Sequence, residues 1–118
     1  MKIHALLPAL LCLPPALAGT GISELRITQS GPEVDEYFEL VGVPGTSLAG
    51  MQYVVVRLDS GHTGEVEFVL DLSSAVIPAD GYFLCAESTM TLATPDMVAN
   101  LDFTETHSVE HMLVTGQG

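Results

Sequence analysis

The sequence predicts an all-β fold, an antiparallel Greek-key sandwich of seven short strands. Three observations carry that expectation. Apolar and polar residues alternate with period two in several runs of five to eight residues, and Gly, Pro, Asp and Ser punctuate the gaps between them. The stretch from Asp35 to Val56 holds the whole grammar: an aromatic run, a connection broken by Pro44-Gly45 and Gly50, and a continuous apolar run. No stretch of the mature chain carries an apolar stripe at helical spacing.

The chain of 118 residues opens with a basic start, Met1-Lys2-Ile3-His4, and an apolar run from Ala5 to Leu17. Ala16-Leu17-Ala18 is a small-x-small cleavage pattern, so residues 1–18 read as a secretory signal peptide, too short to span a membrane comfortably. Pro8, Pro14 and Pro15 count against a stable anchor helix. Leu11 before Cys12 counts against a lipid-attachment site. Residues 19–118 then form one domain, secreted or periplasmic, with no transmembrane segment. Its formal charge is −13, with 2 arginines against 15 carboxylates and no lysine. That surface repels phosphate backbones and anionic lipid, which excludes direct nucleic-acid binding as an expected role. Cys85 is the one cysteine after cleavage, so no internal disulfide forms. It lies in the apolar run Tyr82-Phe83-Leu84-Cys85-Ala86, where it reads as a small buried hydrophobe.

In order along the mature chain, Ile22 to Thr28 alternates with Leu25 and Ile27 on one side, a half-buried first strand. Ser30-Gly31-Pro32-Glu33 turns it into Tyr37–Val41, with Phe38 and Leu40 on the core face. Leu48 is expected to tuck inward from the next connection. Gln52–Leu58 and Glu65–Leu72 form a hairpin about Asp59-Ser60-Gly61-His62-Thr63-Gly64, with Val66, Phe68 and Leu70 sharing a face. Asp80-Gly81 turns into the strand from Tyr82 to Glu87. Thr91-Leu92 reads as a short strand, and Thr94 to Val98 as the start of a helical turn capped by Thr94. Val109–Val114 closes the chain as a last strand.

Candidate chemistry is sparse. His107-Ser108-Val109-Glu110-His111 matches the inverted zinc-protease signature, which needs a helix to bring both histidines to one ion. Val109 and Met112-Leu113-Val114 favour a strand, where the histidines stand about 13 Å apart and share no ion. Asp35, Glu36 and Glu39 form an acidic cluster that could collect Ca²⁺, although no D-x-D-x-D-G loop is present. No nucleophile elbow and no phosphate-cradling glycine loop occurs. The expectation is a chain without catalytic residues.

Ile22-Ser23-Glu24-Leu25, Asp35-Glu36-Tyr37-Phe38-Glu39-Leu40, Ser47-Leu48-Ala49-Gly50 and Ile77-Pro78-Ala79-Asp80-Gly81-Tyr82-Phe83 together resemble the lamin tail domain family, in particular its exported bacterial members. The resemblance spans Ile22 to Val114. It implies an immunoglobulin-like sandwich used for binding and attachment, with no catalytic residue to carry over. Val41-Gly42 and Met51-Gln52 stand where the family often has Asn and Trp. The chain stops where many exported members continue, so a truncated frame or a stand-alone remnant is expected. The function this implies is a secreted, non-catalytic module for protein or surface attachment. The alternatives are a detached accessory domain of an extracellular nuclease or phosphatase, and a Ca²⁺-stabilised surface module.

Overall fold

The computed structural model of the protein describes residues 19–28 and 30–116. The signal-peptide reading of residues 1–18 lies outside the described residues. Every regular element among them is a strand: β1 (Gly21–Arg26), β2 (Tyr37–Val41), β3 (Met51–Arg57), β4 (Val66–Asp71), β5 (Tyr82–Ala86), β6 (Met97–Val98) and β7 (Val109–Thr115). They form two sheets, one ordered β1-β2-β5-β6 and one ordered β4-β3-β7, packed face to face as an immunoglobulin-like sandwich. β1 and β2 are sequential neighbours, as are β3 and β4. β7 comes back from the other sheet to pair along the whole of β3, from Met51↔Thr115 to Arg57↔Val109. No helix in the described region is long and apolar enough to cross a membrane.

Period two decides what each strand buries. Phe38 and Leu40 of β2, Tyr53 and Val55 of β3, and Phe83 and Cys85 of β5 point between the sheets and are almost wholly buried. Strands alone do not fill the interior. Leu48, Leu72, Ala75, Ile77, Leu101 and Phe103, all from connections, complete the same cluster. A connection that crosses from one sheet to the other must pass the open end of the sandwich, so its apolar residues serve as plugs. The leucine, isoleucine and phenylalanine plugs each contribute about 1.5–3 kcal/mol relative to exposure.

Two of those connections pair with each other. Leu48 N–H donates to the Ala75 carbonyl at 2.9 Å, Ile77 N–H to Thr46 at 2.9 Å, and Gly45 N–H to Ile77 at 2.8 Å. Gly42 N–H reaches the Gly81 carbonyl at 2.9 Å. Gly81 has a φ of 85°, and a Cβ there would stand 3.3 Å from the Gly42 oxygen. Only glycine fits that turn without strain.

Four sequence expectations change. The register slips between Val55 and Val56, so that Val66 pairs with Val56 and Glu67 is the extra residue. That bulge takes Val66 off the core face and leaves it 58 % exposed, while Phe68 and Leu70 stay packed on the interior. Thr94 to Val98 is no helical turn. Asp96 accepts from Leu84 N–H through Oδ2 at 2.8 Å and donates its own N–H to the Leu84 carbonyl at 2.8 Å. One aspartate thus satisfies both backbone groups at the edge of β5 and clips the segment on as β6. The β5–β6 pair is parallel, an exception to the otherwise antiparallel pairing. Finally, Thr91-Leu92 lies in irregular chain rather than in a strand.

Candidate functional site

The acidic cluster Asp35, Glu36 and Glu39 is close in sequence and divided in space, because side chains alternate between faces along β2 and the segment leading into it. Asp35 holds a distant loop: its Oδ1 accepts from Thr91 N–H at 3.1 Å and its Oδ2 from Thr91 Oγ1 at 3.4 Å. Thr89 Oγ1 adds a bond to the Val34 carbonyl. Glu39 faces outward and accepts from Ser23 Oγ at 2.8 Å. Glu36 faces inward and is 3 % exposed. These three carboxylates do not converge on one ion. Among the described residues, no group of three or more His, Cys, Asp or Glu is placed to hold a metal.

Glu36 closes the open end of the sandwich. Its Oε2 accepts from Phe103 N–H at 3.0 Å, and its Oε1 is buried without a hydrogen-bond partner. Its backbone N–H points to Glu87 Oε2 at 3.4 Å, and Glu87 N–H returns to the Glu36 carbonyl at 3.2 Å. Burial pushes the Glu36 carboxyl above its usual value of 4.5, and the negative charges of Glu87 and Asp102 add to the shift against the Phe103 N–H. The folded state therefore holds this proton more tightly than the unfolded chain. The resulting stabilisation is complete below about pH 4.5 and is lost as pH rises through the raised folded value. Glu36→Gln keeps the acceptor for Phe103 and removes the buried charge. It is expected to stabilise the protein at neutral pH by about 1 kcal/mol. Urea unfolding of the two proteins at pH 7 checks this, and a variant less stable than the wild type would refute it.

The histidine pair of the zinc-protease pattern is likewise divided. His107 lies exposed in a bend, whereas His111 stands on β7 and turns inward, and Glu110 between them is exposed. Tyr53 Oη lies 2.8 Å from His111 Nδ1. His111 Nε2 is buried without a hydrogen-bond partner, and the Phe103 ring meets the imidazole at 87° with centroids 4.9 Å apart. Burial holds the His111 pKa below its ordinary 6.5. Cys85 is fully buried, and that burial pushes its thiol up to about 12, far from a reactive thiolate.

Sequence reasoning missed these contacts for a plain reason. Tyr53 and His111 are 58 residues apart, and Glu36 and Phe103 are 67 apart. No local pattern announces either pair. Glu36 alone gave a signal, since it holds the inward parity of Phe38 and Leu40 two residues before the strand's first core position.

Polar and apolar groups converge instead on the outer face of the four-stranded sheet. A cleft of about 130 Å³ is lined by Glu24, Tyr37, Glu39, Leu84, Met90 and Leu92, with Ala93 at its rim. The pairing register builds its floor: Glu24 stands opposite Glu39, and Glu39 opposite Leu84, so the three form one row across β1, β2 and β5. The wall is the irregular loop that Asp35 pins through Thr91. Tyr37 Oη donates to Glu24 Oε1, and this bond with the carboxylate raises the phenol's pKa. A larger cleft of about 420 Å³, lined by Glu33, Val34, Glu87, Thr89, Val98 and Asn100, opens beside β6. Comparison with protein-family models, with curated proteins and with solved structures found no match for this chain.

Proposed function

We propose that this chain is a secreted, non-catalytic β-sandwich module that attaches to a protein or cell-surface component. The observation that carries the reading is the outer face of the four-stranded sheet, where Val41, Tyr82 and Leu92 stand 38 %, 47 % and 61 % exposed around an acid-lined cleft. Exposed apolar side chains gathered beside a concave, charged feature are characteristic of association surfaces. The leader pattern ending at Ala18 and the uniformly acidic mature composition support export, and the resemblance to lamin tail domains supports attachment. The polar side chains that do enter the interior, Glu36, Tyr53 and His111, bond to the protein itself, which suits a structural rather than a catalytic use.

The test immobilises the processed chain and challenges it with culture-medium proteins and cell envelopes of the secreting organism at physiological ionic strength. Saturable retention is expected. An unrelated sandwich of equal negative charge that retained the same material to the same extent would refute the reading. A second reading, a detached accessory domain of an extracellular nuclease or phosphatase, follows from the same resemblance. A neighbouring gene encoding the catalytic part, and retention of its product by this chain, would favour it.

A further inference from the structure

Glu24 and Glu39 are direct cross-strand neighbours on β1 and β2. Two carboxylates in that position repel each other and weaken the pairing of an edge strand. Arg26 lies two residues further along β1, opposite Tyr37, and its single positive charge leaves the two glutamates with a surplus negative charge. Each carboxylate has one acceptor oxygen engaged on its flank: Glu24 Oε1 by the Tyr37 hydroxyl, and Glu39 Oε1 by Ser23 at 2.8 Å. Those bonds orient both groups beside the apolar wall.

That wall is built rather than incidental. Leu84 continues the row on β5, and Met90 and Leu92 overhang it from the loop held by Asp35. Methylene-sized apolar surface therefore adjoins two fixed carboxylates within one cleft of about 130 Å³. A long aliphatic stem ending in a cation matches that sequence of surfaces. A second copy of this chain is a poor source for such a group, because its mature part carries two arginines, no lysine and 15 acidic residues.

We propose that this cleft takes a lysine or arginine side chain of a partner protein, with its methylenes against Leu84, Met90 and Leu92 and its cationic head between Glu24 and Glu39. The proposal rests on the attachment reading and gives it a place and a partner chemistry. Binding relieves the repulsion between the two carboxylates, so the occupied cleft also secures β1 against β2.

The test is an amide-shift titration of the isotope-labelled processed chain with three capped tripeptides, glycine flanking a central lysine, arginine or norleucine. Lysine and arginine peptides are expected to give saturable shifts centred on Glu39, Leu84 and Leu92, and the uncharged norleucine peptide none. Glu24→Gln with Glu39→Gln is expected to weaken binding by about tenfold or more. Leu92→Ala, at a side chain 61 % exposed, is expected to weaken it by about threefold without touching the charge. Glu105→Gln with Glu110→Gln removes the same charge from exposed positions elsewhere and is expected to change affinity by less than about twofold. Equal losses from the two double variants, or shifts spread over the whole acidic surface, would overturn the proposal. So would self-association through this face, which would assign the cleft to a second copy. If the wild type retains its natural partner and the Glu24/Glu39 double variant retains it equally, the cleft proposal falls and attachment stands. If the wild type retains nothing, the attachment reading itself falls.

Discussion

Phe38→Ala is expected to destabilise the protein by about 3–5 kcal/mol, the loss typical of truncating a fully buried aromatic side chain. Phe38 has no exposed surface, and its ring lies on that of Tyr53 with centroids 3.8 Å apart and planes 11° from parallel. Phe38 belongs to the four-stranded sheet and Tyr53 to the three-stranded sheet, so this contact couples the two layers across the interior. Neighbours cannot close the gap, because Tyr53 is held by His111 and tilted against Phe103 at 6.1 Å. For a domain of this size the loss is a large share of a total of about 5–15 kcal/mol. Urea unfolding should show a lowered midpoint with an unchanged slope. A loss below about 1 kcal/mol would mean that the sheets are not coupled through this ring.

Tyr53→Phe is expected to cost about 1–3 kcal/mol, although it removes a single oxygen. The hydroxyl is the hydrogen-bond partner of His111 Nδ1 at 2.8 Å, and Nε2 already lies buried without one. Deleting the hydroxyl leaves a half-buried imidazole with no protein partner on either nitrogen. The same geometry sets an acid sensitivity. The folded state holds the His111 pKa below 6.5 because burial disfavours the imidazolium, so the unfolded chain takes the proton first. Its contribution is complete above about pH 6.5 and is lost as pH falls from there toward the lowered folded value. His111→Gln, which does not titrate, should flatten that part of the stability profile. Glu36 acts in the opposite sense above about pH 4.5, so Glu36→Gln and His111→Gln should change the slope of the stability profile in opposite directions. A stability difference between the wild type and His111→Gln that stayed constant from pH 7 down to pH 5 would contradict the His111 assignment (about 2 pH units is ample to populate the imidazolium of an unfolded chain).

Both predictions turn on residues whose strands were readable from sequence and whose partners were not. Alternation placed Phe38 and Leu40 on the core face and the apolar run around Cys85 placed that thiol inside, and all three are buried. The same rule failed at Val66, because one extra residue in β4 resets the alternation and no neighbouring residue type betrays it. A different signal misled at Thr94 to Val98, where a capping threonine and a proline imitate a helix start. The Asp96 side chain instead finds the open edge of β5. Of the candidate acidic cluster, Glu39 enters the cleft, Asp35 pins the loop that walls it, and Glu36 goes to the interior. Sequence proximity grouped three residues that the pleat of β2 separates.

By itself the sequence determined the strand content, the core facing of Phe38 and Leu40, and the acidity of the chain. All three depend on residue type and on spacings of a few positions, which the chain carries locally. Only the tertiary structure decided that Glu36 meets Phe103, that Tyr53 meets His111, and that Glu24, Glu39 and Leu84 line up beneath Met90 and Leu92. Those meetings depend on strand order, on the register shift between Ile22 and Glu24 that sets Glu24 opposite Glu39, and on how the connections plug the ends of the sandwich. Such choices are settled by packing energy summed over residues far apart in the chain, and no short window of sequence contains that sum.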